Sequence, residues 1–187
     1  MLLYIKNMVC DRCIMVVRQQ LEHLDFQVSE ISLGSAVIHP DPDESQLSLI
    51  RASLKVLGFE LIDKEKDKLI ERIRNIIIEL IHHSAQPELQ VNFTQVLSDR
   101  LHKDYAYLSR LFSDSEDITI EKFIIQQKIE KVKELLQYGE LNLNEISWKM
   151  GYSSSSHLSA QFKSVTGQTP SEFKILAYNQ RRSLDKI

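Results

Sequence analysis

The sequence is poor in cysteine: Cys10 and Cys13 are the only two. A lone C-x-x-C points to metal or redox chemistry rather than to a structural disulfide framework. Long hydrophobic runs are also missing. A bilayer span needs about 20 predominantly apolar residues. The longest run here, Ile76-Ile77-Ile78-Glu79-Leu80-Ile81, is short and broken by a charge. The opening residues Met1 to Lys6 lack the basic start and small-residue cleavage site of a secretory signal. The expectation is a cytoplasmic chain with no membrane partner. A surplus of positive charge is absent too, the formal net charge being -3. Residues 1–90 hold 10 Lys and Arg against 14 Asp and Glu, and residues 91–187 hold 13 against 12. Nucleic-acid binding usually rests on a stronger basic surplus, so here it would need a local patch. No phosphate loop, H-E-x-x-H or nucleophile elbow is present, and no enzyme is expected.

The first third of the chain alternates strand and helix signals. Residues 2–6 have β character at Leu2 and Tyr4. After Cys10-Asp11-Arg12-Cys13 comes a helical stretch with Val17, Leu21 and Leu24 on its apolar side. Phe26–Ser32 and Ser35–His39 read as two short strands joined by Leu33-Gly34, and Pro40-Asp41-Pro42-Asp43 breaks the pattern. Leu47, Ile50, Leu54 and Leu57 recur at helical spacing. Gly58 ends that helix, and Phe59–Ile62 reads as a last strand. This order predicts an α+β, ferredoxin-like βαββαβ domain over residues 1–63.

Residues 64–90 read as a linker and a long connecting helix. Asp63–Lys68 is charged, Leu69, Ile73, Ile76, Ile77, Leu80 and Ile81 mark an amphipathic face, and Pro87 lies beyond its end. Residues 91–187 read as an all-α domain with helices near 93–101, 105–113, 120–137, 143–150, 155–165 and 170–180. Asn92 with Gln95 and Asn142 with Glu145 have capping-box spacing. Thr169-Pro170-Ser171-Glu172 adds a proline at the first helical position. Gly151 and Gly167 suit left-handed helix ends. His82 and His83 read as helix-end residues favourable to the dipole rather than as ligands.

An internal repeat organises this second half. Tyr107-Leu108-Ser109-Arg110-Leu111-Phe112 aligns with His157-Leu158-Ser159-Ala160-Gln161-Phe162 at an offset of 50. Upstream, Leu97-Ser98-Asp99-Arg100-Leu101 aligns with Ile146-Ser147-Trp148-Lys149-Met150 at an offset of 49. The second turn is therefore one residue longer. Leu97 and Leu101 share one helical face, and Leu108 and Phe112 share another. Closing the two faces across a short turn, with small Ser98 beside the contact, gives a helix-turn-helix. Ile146, Met150, Leu158 and Phe162 repeat it. Between the copies, Ile125, Ile129, Val132 and Leu136 form the stripe of a long helix that would pack on both. Two recognition helices about 34 Å apart would enter successive major grooves.

On each recognition helix the face opposite the buried pair points outward. In the first it includes Tyr105, Ala106, Ser109 and Arg110; in the second, Ser155, Ser156, Ser159, Ala160 and Lys163. Ser154 or Ser155 also suits a helix cap. Lys103, Lys149, Lys163 and Lys174 are phosphate candidates. Trp148 reads as a partly buried packing residue rather than a DNA contact.

The two units, with Gly151-Tyr152, His157 to Lys163, and Thr166-Gly167-Gln168-Thr169-Pro170-Ser171-Glu172-Phe173-Lys174, resemble the AraC/XylS-type transcription regulators over about residues 67–176. Ser98 and Ser147 stand where that family usually has alanine, and His102-Lys103 replaces a turn glycine in the first unit. The resemblance implies double-stranded DNA as partner and base-reading positions at Ala106, Arg110, Ser156 and Ala160. Arg110 is the only long donor among these, and arginine favours guanine O6 and N7. The second unit would then contribute more to phosphate docking and shape readout.

The Cys10 and Cys13 pair lies between the first strand and first helix, where unpaired N–H groups stabilise a thiolate. Two thiolates on one loop suit a soft, low-coordination ion such as Cu(I), whereas zinc normally takes four ligands. With the fold pattern, Met8, both cysteines and Gly58-Phe59, residues 1–63 resemble the heavy-metal-associated domain of copper chaperones and metal-transport ATPases. Asn7 and Val9 replace that family's usual Gly and Thr. The resulting expectation is a DNA-binding regulator that senses a soft metal, with a homodimer left open. The rival readings are a metal carrier or adaptor whose helical half binds a protein, and a thiol-redox sensor.

Overall fold

A computed structural model of the chain describes residues 1–83 and 91–176. Pro87 and the expected extension of the last helix over 177–180 lie outside the described residues. The chain forms two compact units, Met1–Asn75 and Ile76–Ile187.

In the first unit β1 (Leu2–Lys6), α1 (Asp11–His23), β2 (Gln27–Ser32), β3 (Ser35–His39), α2 (Glu44–Val56) and β4 (Glu60–Leu61) follow one another. The strands make one sheet in the order β2-β3-β1-β4, with antiparallel neighbours throughout. Alternation along β1 turns Leu3 and Ile5 inward, while Leu2 and Tyr4 lie on the other face. Val17 and Leu21 of α1 and Ile50 and Leu54 of α2 close over Leu3, Ile5, Ala36 and Ile38. Burial of each large side chain contributes roughly 1.5–3 kcal/mol. Asp43 caps α2 in a full capping box with Gln46, so the Pro-Asp break doubles as a helix start. β4 is shorter than the expected 59–62. The Phe59 N–H is taken by Leu54 O at 3.0 Å in the turn that ends α2.

The charged stretch 63–68 is only in part a linker: α3 (Glu65–Ile78) begins inside it. Glu65 and Asp67 occupy its first turn, where carboxylates complement the helix dipole. Lys68 pairs with Glu65 at 2.7 Å. Residues 65–75 of α3 belong to the first unit. There Lys68 Nζ lies 5.1 Å over the Tyr4 ring. The Asn75 amide fills the space that a side chain at Gly34 would need.

The regular helix ends in a single π turn, Glu79–His83, within the second unit. After it come α4 (Phe93–Leu101), α5 (Tyr105–Glu116), α6 (Ile120–Tyr138), α7 (Leu143–Lys149), α8 (Ser155–Thr166) and α9 (Pro170–Leu176). Among the described residues of this unit no strand occurs. The helix starts follow the cap chemistry. Asn142–Glu145 is a reciprocal capping box, whereas Asn92 accepts from Gln95 N without the return bond. Thr169 and Glu172 cap each other's N–H groups at 3.2 and 2.7 Å.

α6 is the axis of the unit, touching the π turn, α5, α7, α8 and α9. Its buried set is wider than the expected stripe. Ile129, Val132 and Leu136 are buried as expected and Ile125 is only partly so, while Ile120, Phe123, Gln127, Glu130, Lys133 and Leu135 are buried as well. A helix packed on several sides hides most of its circumference. The charges it hides are paired, with Lys133 Nζ 2.7 Å from Glu130 Oε1.

Candidate nucleic-acid interface and cysteine site

Both bihelical units close as their apolar spacing requires. Leu97, Leu108 and Phe112 are completely buried and Leu101 nearly so; in the second unit Ile146, Leu158 and Phe162 are completely buried and Met150 nearly so. Helices α5 and α8 then each meet a third helix through an aromatic pair. Phe112 lies 5.6 Å from Phe123 of α6, and Phe162 lies 5.6 Å from Phe173 of α9 at an interplanar angle of 70°. Such tilted pairs contribute roughly 0.5–1.5 kcal/mol beyond the area they bury. Ser147 sits buried at the helix crossing and returns its hydroxyl to Asn144 O at 2.8 Å.

The turns reach the same end by different residues. In the second, Gly151 takes φ +70 and Tyr152 N donates to Ser147 O at 2.8 Å. In the first, His102 takes φ +51, and Lys103 N donates to Ser98 O at 3.3 Å. The missing glycine is thus replaced by a histidine held in the left-handed region. Asp104 caps α5 by accepting from Ala106 N at 2.8 Å. Ser154 caps α8 by accepting from His157 N at 3.1 Å. Ser154, rather than Ser155, is therefore the capping serine.

The exposure pattern of Tyr105–Phe112 on α5 is repeated position by position by Ser155–Phe162 on α8. Ala106, Arg110, Ser156, Ala160 and Lys163 are exposed, and Ser109, Ser155 and Ser159 are partly so. Tyr105 is also partly buried, and its hydroxyl donates to the Glu121 carboxylate at the start of α6. Burial and that carboxylate push the phenol well above its ordinary range. Tyr105 therefore braces α5 against α6 as well as flanking the outer face. Tyr107 and His157 belong to the exposed faces as well. Tyr107 is one turn from Arg110, and the i, i+3 rule applied to Arg110 would have found it. Ser153 Oγ lies 3.1 Å from His157 Nδ1, and the Tyr152 ring meets the His157 ring edge-on at 5.3 Å. Trp148 is 55% exposed on α7, more open than a packing residue usually is. Lys103, Lys163 and Lys174 are exposed and Lys149 is partly so.

Two further polar ties join α6 to the parts around it. Lys128 Nζ donates to Met150 O at 3.0 Å, capping the end of α7, and lies 5.3 Å over the Tyr152 ring. Burial pulls the Lys128 ammonium below its usual range. In the π turn, His82 Nε2 lies 2.9 Å from Gln127 Oε1. Burial lowers the His82 imidazole to about 4, against the opposing effect of the Gln127 hydrogen bond. His82 is thus neutral at pH 7 and wedged onto α6. This corrects the expectation of a dipole-capping cation, because the ring lies in a packed contact.

In the first unit, Cys10 is the extended N-cap residue of α1, and Cys13 lies in its first turn. Their sulfurs are 3.5 Å apart, and both residues are partly exposed. Burial pushes the Cys10 thiol up, but the N–H groups of Cys13 and Arg12 outweigh it and hold the thiol below its ordinary value. Burial, with the neighbouring Cys10 sulfur, raises Cys13. Two thiolates each about 2.3 Å from a two-coordinate ion stand up to about 4.6 Å apart, so the pair would open by about 1 Å to share a soft metal. Met8 is completely buried and therefore anchors the loop instead of offering a ligand. Among the described residues, no group of three or more His, Cys, Asp and Glu could hold a metal ion.

Residues 97–174 match the family model of a helix-turn-helix domain. The chain is 30% identical over 100 residues to the Msm operon regulatory protein of Streptococcus mutans serotype c, covering 54% of this chain and 35% of that protein. It is 31% identical over 103 residues to the Xylose operon regulatory protein of Haemophilus influenzae, covering 54% and 26%. The chain therefore spans about a third and a quarter of the length of these two relatives. The C-terminal domain of AraT, a response regulator from Geobacillus stearothermophilus, shares the fold with a TM-score of 0.51 at 22% identity, over 64% of this chain and 97% of that one. No described helix is long and apolar enough to cross a membrane.

Proposed function

We propose that this chain, whose residues 97–174 form a helix-turn-helix domain of the AraC type, is a sequence-specific transcription regulator. It enters double-stranded DNA with α5 and α8, and its DNA binding responds to Cu(I) or another soft metal held by Cys10 and Cys13. The observation that carries the DNA part is the shared register of the two helices. Each buries its Leu–Phe pair completely and exposes the equivalent outer positions. Arg110 supplies a bidentate base donor on the first helix, and the small side chains of Ser156 and Ala160 let the second lie close to the groove. The relatives are regulators by name, and no catalytic step is proposed. The sheet order β2-β3-β1-β4 supports a ferredoxin-like reading of the first unit. The buried Met8 and the paired sulfurs at the start of α1 support a heavy-metal-associated reading of its loop.

Selection of sites from a random duplex pool by the 187-residue chain tests both parts. The account expects an enriched site whose affinity changes when Cu(I) is supplied and no longer changes in the Cys10→Ser/Cys13→Ser variant. No enrichment at any salt concentration overturns the DNA part. Equal affinity with and without Cu(I) overturns the metal part alone.

A further inference from the structure

We infer that Glu71 is a positioning residue for the cysteine site: from α3 it holds the start of the loop that presents Cys10 and Cys13. The inference rests on the metal reading of that pair. The loop leaves β1 at Asn7, whose φ of +72 lies in the left-handed region. A side chain there is strained unless neighbours hold it. Two bonds do so. The Asn7 backbone N–H donates to Glu71 Oε1 at 3.2 Å, across 64 residues of sequence. Its side-chain Nδ2 donates to Gly58 O at 3.0 Å in the turn after α2. Met8, next in the chain, is completely buried in the core. The loop is thus pinned by α3, by the α2–β4 turn and by the core, and Cys10 follows two residues later as the N-cap of α1.

Glu71 is itself held. It is 5% exposed, and its other oxygen faces Arg74 Nε at 3.8 Å. The Lys68–Tyr4 and Asn75–Gly34 contacts flank it along the same helix within the first unit. A carboxylate acceptor makes a stronger bond to an N–H than a neutral one. Residues that orient a metal loop without touching the ion commonly change affinity 10- to 100-fold. By linkage, an ion that tightens the loop also tightens the Asn7–Glu71 bond. α3 is then the first helix beyond the site to feel occupancy.

The test uses the full chain under anaerobic conditions, with Cu(I) partitioned against a chromogenic bicinchoninate chelator. Glu71→Ala is expected to weaken Cu(I) binding about 10-fold or more. Glu71→Gln keeps shape and an acceptor oxygen but not the charge, so it should lose about threefold and serves if the alanine variant does not fold. Amide hydrogen exchange without metal gives a second readout: Asn7 should exchange several-fold faster in both variants, while β3 amides stay unchanged. Wild-type affinity and an unchanged Asn7 amide in Glu71→Gln overturn the inference. Failure of the wild-type chain to compete for Cu(I) sinks the metal reading instead, and the hold on the loop then stands or falls on the Asn7 amide.

Discussion

The two helix-turn-helix units are alike in their interiors and different at their surfaces. Inside, Leu108 and Phe112 are matched by Leu158 and Phe162, all without exposure. Outside, the first unit carries Tyr107 and Arg110, and the second carries His157 and Ala160 at the same places. Their turns differ too, with a strained His102 in one and Gly151 in the other. The buried pattern sets the backbone scaffold, and scaffold alone does not decide readout. A duplicated frame can be divided between one unit that discriminates bases and one that docks on phosphates and shape.

The largest expected effect tests the likeness. Phe112→Ala and Phe162→Ala each remove a fully buried ring and should each destabilise the second unit by about 3–5 kcal/mol. Chemical denaturation followed by the fluorescence of Trp148, the single tryptophan, reads this directly. A much smaller loss for one of them would break the equivalence. Acid acts next, through the π turn that packs on the shared axis helix. The unfolded His82 imidazole titrates near 6.5 and the folded one near 4. Between those values the unfolded chain binds a proton that the native ring refuses, so stability is lost as pH falls from about 6.5 to 4, by about 2–3 kcal/mol. His82→Gln should flatten that part of the stability–pH curve, and an unchanged curve would assign the loss elsewhere.

The difference between the units is sharpened by DNA binding. Arg110→Ala should weaken specific binding by about 1–3 kcal/mol and relax one base preference. Ser156→Ala on α8 should change selectivity by less than about 0.5 kcal/mol. Competition titrations against single-base operator variants measure both. If Ser156→Ala relaxed selectivity as much as Arg110→Ala, the division of labour would be wrong. The turn gives a modest effect on stability: His102→Gly should stabilise the second unit by about 0.5–1 kcal/mol by removing left-handed strain. A loss of stability would show that the His102 side chain contributes more than its backbone conformation removes.

The repeated frame was legible because it is written in local periodicity. Leucine and phenylalanine four residues apart, followed by the same pair 50 residues on, can bury only by closing each bihelical unit. Caps were legible for the same reason, since Asn142 with Glu145 and Thr169 with Glu172 act over three residues. Contacts between distant elements were not. Nothing near Tyr105 announces its bond to Glu121, and the charged run at 63–68 hides the start of α3 because first-turn carboxylates look like a linker. The degree of exposure of Trp148, 55%, was not legible either, because it depends on which neighbours cover α7. The state of His82 has no local signal either, because a histidine at a helix end is ordinarily solvated, and only the packing of the π turn on α6 makes it neutral. The Asn7–Glu71 bond joins residues 64 apart and leaves no sequence signal.

Hydroxyl-radical footprinting of the 187-residue chain on its selected duplex tests the central claim most directly. Two protected backbone segments on one face of the helix, about 10 base pairs apart, are expected, with the first lost selectively in Arg110→Ala. A single protected segment, or protection spread evenly along any sequence, would contradict it.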